Sequence, residues 1–256
     1  MDLAIRTQEL TRSFHGTRAV NGIDIQVERG TFYGFLGPNG AGKSTTIKML
    51  TGLLAPSSGK LEVLGLNPQD AEESLRMKQR IGVVPEDLAL FENLTAREHL
   101  TFIGRMHLMP KDTMQERIEE LLSMMSLDEE EKKMTVEFSH GMKKKLSLAA
   151  ALLPNPDLLF LDEPFEGVDA VASRTIRKML AAYVGRGSTV FLTSHVLEIV
   201  ERLCTHVGII VKGELVEQTS LAELGSGGSL EERFLEVVGG EELAQPELNW
   251  LGGRAE

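Results

Sequence analysis

Short runs of apolar, often β-branched residues alternate along this chain with stretches whose apolar positions recur at helical spacing, the pattern of an α/β fold. Leu3–Leu10, Ile23–Val27 and Phe32–Leu36 read as strands, and a helix is expected from about Lys43 to Leu53 after a Gly-rich turn. Leu61–Leu66 and Ile81–Val84 read as further strands. From there to about Leu153 the pattern is almost purely helical. Thr95 and Glu98 have the spacing of a capping box, and Pro110 stops the helix that this box starts. Lys111–Ser126 then places Met114, Ile118, Leu121, Leu122 and Met125 at helical spacing. Strand patterns return at Leu158–Leu161, Val190–Thr193 and Val207–Val211.

This order predicts a mixed β-sheet core, residues 1–85 and 154–224, interrupted by a helical insertion at 86–153; Pro154-Asn155-Pro156 marks the return to the core. Residues 225–256 read as an extension made of a Gly225–Gly228 linker, a short amphipathic helix at Leu230–Val238 and a loose acidic tail. A length of 256 residues suits one large domain, or a core carrying a smaller insertion. The formal charge of -11, from 27 Lys and Arg against 38 Asp and Glu, offers no basic face to a polyanion, so no nucleic-acid partner is expected. Cys204 has no second cysteine to pair with and lies in the apolar-patterned stretch Val196–Val207, where it reads as a buried small hydrophobe. Met1–Arg6 lacks a basic flank followed by an apolar run, so it does not read as a signal peptide. No stretch approaches the roughly 18 apolar residues of a membrane span. A cytoplasmic location is expected, with any hold on a membrane supplied by a partner.

The strongest chemistry lies between the third strand and the helix that follows it. Gly37-Pro38-Asn39-Gly40-Ala41-Gly42-Lys43-Ser44-Thr45 fits G-x-x-x-x-G-K-[ST] in the strand–loop–helix setting that the motif requires. Its glycines let the backbone wrap closely around phosphate oxygens, and the N–H groups from about Asn39 to Thr45 point into the loop. The helix N-terminus adds roughly half a positive charge at the same place. Lys43 is expected to reach the β- and γ-phosphates of a bound nucleotide, and the Ser44 hydroxyl to sit on Mg²⁺. Further along, Leu158-Leu159-Phe160-Leu161 delivers two carboxylates: Asp162, placed to hold Mg²⁺ through water, and Glu163, placed to polarise the attacking water.

Around these residues the chain resembles the ABC ATPase family. Leu161-Asp162-Glu163-Pro164, Gly167-Val168-Asp169 and Thr193-Ser194-His195 are similar to that family's Walker B, D-loop and switch-histidine elements, and Phe138-Ser139-His140-Gly141-Met142 resembles its signature motif. The likeness runs from about Leu3 to Leu224 in the family's order. It implies a P-loop NTPase core of RecA-like type with an antiparallel β part, and a helical subdomain carrying the signature.

The resemblance also implies roles. Phe14 is similar to the aromatic residue that stacks on adenine, and its alternative is a core phenylalanine at a strand edge. Glu86 stands where the family has the Q-loop glutamine; it could still approach Mg²⁺, but it adds charge and removes an amide donor. His140 and Met142 depart from the signature, whereas Ser139 and Gly141 keep it. Ser139 is expected to cap the following helix and to face a γ-phosphate held by another copy, with Gly141 beside it. His195 looks like the switch that contacts γ-phosphate and orients water against Glu163, and Asp169 belongs to the shared nucleotide site. Two copies, or this chain and a paralogous cassette, would pair head to tail around two Mg-ATP. A separate membrane permease would do the transport, with this chain peripheral on the inner face of the cell membrane. Export is preferred to import. The alternatives are a soluble non-transport ABC ATPase and an ATP-gated regulatory module. Asp128–Lys133 reads as a solvated charged turn, and Met106, Met109, Met114, Met124 and Met125 as core filling with some left for docking.

Overall fold

A computed structural model describes residues 2–130, 132–224 and 229–238. Among the described residues ten strands form two sheets. The smaller contains β1 (Leu3–Phe14), β2 (Thr17–Ile23), β3 (Gln26–Glu28) and β5 (Ser58–Val63), all antiparallel to β1. The larger has the order β10 (Glu214–Ser220), β9 (His206–Val211), β4 (Phe32–Leu36), β8 (Thr189–Ser194), β7 (Leu158–Asp162), β6 (Ile81–Val84). All its pairings are parallel except β9 with β10.

The central strands carry no polar alternation because both faces of this sheet are covered. Every residue of β4, β7 and β8 is buried. The period of two still sorts their side chains between two cores. Phe32, Leu36, Leu159, Leu161, Val190 and Leu192 face the helices, whereas Tyr33, Phe35, Leu158, Phe160 and Phe191 face the antiparallel sheet and α1 (Lys43–Leu50). On that second face Phe191 stacks on Tyr33 at 5.4 Å between centroids, with Phe35 and Phe160 beside it. Gly34 has a specific reason to lack a side chain. A Cβ there would lie 2.7 Å from Val200 Cγ1 and 3.0 Å from Cys204 Sγ. The missing atom lets α7 (Leu197–Leu203) sit directly on the strand. Cys204 is buried beneath it, and burial raises its pKa, so the thiol stays protonated and inert.

Between β6 and β7 run α3 (Ala96–Met106), α4 (Lys111–Met124) and α5 (His140–Leu152). The Thr95–Glu98 capping box forms: Glu98 Oε2 accepts from the Thr95 N–H at 2.9 Å, and Thr95 Oγ1 accepts from the Glu98 N–H at 3.3 Å. Met114 and Met125 are buried, and Met106 and Met124 are exposed. The remaining helices are α2 (Ala71–Lys78), α6 (Ala170–Gly185), the single turn α8 (Leu221–Leu224) and α9 (Leu230–Val238). Helix α9 buries Leu230 against the core and ties Arg233 to Glu217 at 2.6 Å.

Local pattern and structure differ at several points. The apolar run Ile23–Val27 is not one strand: Ile23 ends β2, and β3 starts at Gln26. Leu64, with φ 54°, and Gly65 turn the chain, so β5 stops at Val63 rather than at Leu66. Helix α1 ends at Leu50, three residues short of the expected Leu53. Strand β10 and helix α2 were not expected. Residues 225–228 and 239–256, read as linker and tail, lie outside the described residues.

Candidate functional site

Because β4, β6, β7 and β8 run parallel, their carboxyl ends share one edge of the sheet. The register pairs Leu36 with Ser194, Asp162 with Thr193, and Val84 with Leu161. The segments that leave these strands are therefore neighbours. They enclose a cleft of about 350 Å³ lined by Asn39, Gly40, Gly42, Lys43, Ser44, Thr45, Glu86, Glu163, Glu166 and His195, with Ala19 closing one side.

The loop Gly37–Thr45 has no room for side chains at two glycines. A Cβ on Gly37 would fall 2.3 Å from the Ile210 carbonyl oxygen, and one on Gly42 would fall 2.5 Å from that of Ala19. Gly42 also has φ 111°, which L side chains rarely adopt. It serves as N-cap of α1 without any side-chain cap, so the first-turn N–H groups of that helix face the cleft. Lys43 is 7 % exposed; its Nζ donates to the carbonyls of Gly37 at 2.7 Å and Pro38 at 3.3 Å, and lies 3.8 Å from Glu163 Oε1. The Ser44 hydroxyl donates to Glu86 Oε2 at 3.4 Å.

On the opposite wall Asp162 is buried below the cleft surface, and the Thr193 hydroxyl donates to its Oδ1. The same Thr193 oxygen accepts from the Glu163 N–H at 3.1 Å. Glu163 has φ 48°, a left-handed conformation made harder by the proline that follows, at a cost of about 1–3 kcal/mol. Its carbonyl accepts from Lys144 Nζ at 2.8 Å. Lys144 is 2 % exposed, and burial lowers its pKa while Glu166, Asp162, Glu163 and Glu86 pull the other way. The Glu163 side chain reaches back into the cleft. His195 Nδ1 lies 3.0 Å from Glu163 Oε2.

Ser139, Gly141, Asp169 and Phe14 lie elsewhere, and Ala41 is buried in the core behind the loop. Ser139 caps α5, accepting from the Met142 N–H at 3.2 Å, and is exposed outside the cleft with Gly141 beside it. The His140 ring lies over Gly167, where an added Cβ would fall 2.6 Å from its Cδ2. Asp169 caps α6, and its carboxyl is held below its ordinary pKa by the Ala172 N–H first and the Val171 N–H after it. Phe14 is an exposed strand-end residue with the Arg12 guanidinium 4.6 Å over its ring. Among the described residues, no group of three or more His, Cys, Asp or Glu side chains is arranged to hold a metal.

Sequence reasoning assigned no role to Thr193, Lys144 or Glu166. A signal existed for two of them. Thr193 is a hydroxyl directly after the apolar run Val190–Leu192, and Lys144 shares the inward stripe of α5 with Leu148 and Ala151 at i, i+4 and i+7.

An uncapped helix N-terminus behind a glycine loop, facing carboxylates at the ends of parallel strands, defines a P-loop nucleotide-binding protein. A family model described as "ABC transporter" matches residues 20–166, and the chain belongs to the ABC transporter family as an ATP-binding subunit with the family's ATPase fold. It is 41% identical over 220 residues to the bacitracin transport ATP-binding protein BcrA of Bacillus licheniformis, covering 85% of this chain and 70% of that protein. It is 37% identical to the daunorubicin/doxorubicin resistance ATP-binding protein DrrA of Streptomyces peucetius, covering 87% and 67%. The solved structure of an ATP-binding subunit of an ABC transporter superposes with a TM-score of 0.85 at 28% identity, covering 91% of this chain and 99% of that one.

Proposed function

We propose that this chain binds and hydrolyses Mg-ATP as one of a pair of copies that drives a separate membrane permease. The observation that carries the proposal is a division of labour within one chain. Lys43, Ser44, Glu86, Glu163 and His195 converge on one cleft, whereas Ser139 and Gly141 present the N-terminus of α5 outside it. One copy can therefore hold a triphosphate from a single side, and a second copy docked head to tail would bring its Ser139 and Gly141 to the open side.

The cleft fits a triphosphate with its cation. Backbone N–H groups and Lys43 supply positive potential, but Glu86, Glu163 and Glu166 oppose it, so the triphosphate needs a divalent cation between it and these carboxylates. Ser44, Asp162 and Glu86 are the oxygen donors closest in chemistry to that task. In the reaction, water attacks the γ-phosphorus and the bond to the β-phosphate oxygen breaks. Glu163 draws the proton from the water, His195 holds the Glu163 carboxylate, and ADP and phosphate leave. Loss of the γ-phosphate removes the contact to the second copy's Ser139, which opens the pair.

An apolar groove of about 410 Å³ supports a permease partner. It lies between the sheet and the helices and is lined by Leu53, Val83, Leu90, Ile103 and Ala151. A short amphipathic helix of the permease would seat its apolar face there. No helix among the described residues is long and apolar enough to cross a membrane, so this contact would hold the chain at the inner face. Relatives named for bacitracin transport and for daunorubicin/doxorubicin resistance support export of a drug-like substrate.

The test is Glu163→Gln. Mg-ATP affinity should persist, turnover should fall by about 10²-fold or more, and the variant should elute as a dimer on size exclusion with Mg-ATP and as a monomer without it. Turnover at the parent rate would remove Glu163 from its role, and a monomer at saturating Mg-ATP would remove the paired site.

A further inference from the structure

We propose that Lys144 is a positioning residue for ATP hydrolysis, fastening the helix that begins at Ser139 to the backbone of Glu163 within the same chain. The inference rests on Glu163 acting on water as proposed above, and it adds a residue that sets where that carboxylate stands.

The geometry is a two-sided clamp. The Glu163 N–H is held by Thr193 Oγ1 at 3.1 Å and its carbonyl by Lys144 Nζ at 2.8 Å. Between the clamped groups the residue keeps φ 48°, which nothing in its own side chain favours. Such a conformation persists only where the surroundings over-determine it. Its outcome is the aim of the carboxylate, with Oε2 3.0 Å from His195 Nδ1 and Oε1 3.8 Å from Lys43 Nζ. Thr193 lies on β8, beside the strand that ends one residue before Glu163, but Lys144 comes from a helix inserted between β6 and β7, five residues after Ser139. It is the contact that joins the two regions at the reacting carboxylate. Arg and Lys elsewhere on the surface of these helices serve other ends: Arg97 pairs with Glu119, and Lys145 donates to the Met125 carbonyl at 2.8 Å. Lys144 alone among these three is buried and turned to the strand end.

A consequence follows for coupling. Any movement of α5 against the sheet pulls on the Glu163 carbonyl, so the carboxylate is correctly aimed only while the helix that carries Ser139 is seated. Hydrolysis is then permitted by the same helix that would contact the other copy's nucleotide.

Lys144→Met keeps the apolar stem and removes the donor. The expected result in the full chain is a kcat lower by about 10-fold or more, with KM and Mg-ATP affinity within about twofold. The loss should be non-additive with Glu163→Gln, the double variant turning over at the single Glu163→Gln rate, because both act through one carboxylate. A loss of packing alone would multiply the two effects. Parent-like kcat in Lys144→Met, or multiplied losses in the double variant, would overturn the proposal. If Glu163→Gln itself turns over normally, the fault lies with the function proposed for Glu163. A crystal structure of Lys144→Met gives a readout independent of turnover: Glu163 should leave positive φ and its carboxylate should part from His195 beyond hydrogen-bond reach, about 3.5 Å. An unchanged Glu163 would sink the proposal. Lys144→Gln, with a donor one bond shorter, serves if the Met variant does not fold; it should lower kcat by about threefold or more at constant KM, and parent kcat would again be decisive against the clamp.

Discussion

Replacing Thr193 by valine tests the packing logic of the site without changing its size. Thr193 is fully buried on β8; its hydroxyl donates to Asp162 and accepts from the Glu163 N–H. Valine fills nearly the same volume, so no cavity forms, but two buried polar groups lose their partner. The lost hydrogen bond to a carboxylate is worth about 1.5–3 kcal/mol, and the orphaned N–H costs about 1–3 kcal/mol. The sum, about 2.5–6 kcal/mol, corresponds at about 2–4 °C per kcal/mol to a fall in Tm of roughly 5–24 °C. Thr193→Ser keeps the hydroxyl and loses one methyl, about 1 kcal/mol or a few degrees. Thermal denaturation followed by circular dichroism, on both variants at the same pH, separates the two effects. A valine variant melting within about 3 °C of the serine variant would refute the claim that this hydroxyl holds the two carboxylate-bearing residues together.

Other expectations follow from the same structure. Lys43→Ala should weaken Mg-ATP binding by at least about 100-fold in isothermal titration, since the phosphate loop then loses the one ammonium among the residues that line the cleft. Gly42→Ala should lower Tm by several degrees and abolish Mg-ATP binding, because a Cβ would meet the Ala19 carbonyl at 2.5 Å in a residue with φ 111°; a parent-like Tm and affinity would show that the loop tolerates it. Leu230→Ala should cost about 2–4 kcal/mol, read as a lower urea midpoint, if α9 is docked through that buried side chain. His99 is buried and its pKa is lowered from 6.5 by burial. The unfolded chain therefore takes up a proton before the folded one does, so stability falls as pH drops below about 6.5 and levels off only below the folded-state value. Melting curves from pH 7.5 to 5.5 should show a shallower slope in His99→Asn than in the parent.

What could be read from the chain alone was whatever depends on neighbours in sequence. The phosphate loop is one: glycines, lysine and serine at fixed spacing between a strand and a helix state their chemistry without the rest of the molecule. The caps at Thr95 and Ser139 are another, because a side chain and an N–H three residues away meet whenever a helix starts there. Apolar runs at β4, β7 and β8 also announced strands. The strand ends were less legible. Where Ile23–Val27 divides and where Leu61–Leu66 stops was decided by turns and by pairing with β1, not by hydrophobicity.

Tertiary structure alone decided which residues meet. Thr193 and Asp162 are 31 positions apart, and Lys144 and Glu163 are 19 apart. Their contacts come from strand register and from the seating of α5, neither of which has a local signature. The same is true of the cleft, since parallel strands place the ends of β4, β6, β7 and β8 side by side only once the order of the sheet is set. Local spacing can name a residue capable of chemistry. Only packing aims it, because a hydrogen bond depends on tenths of an ångström between segments that the chain itself keeps far apart.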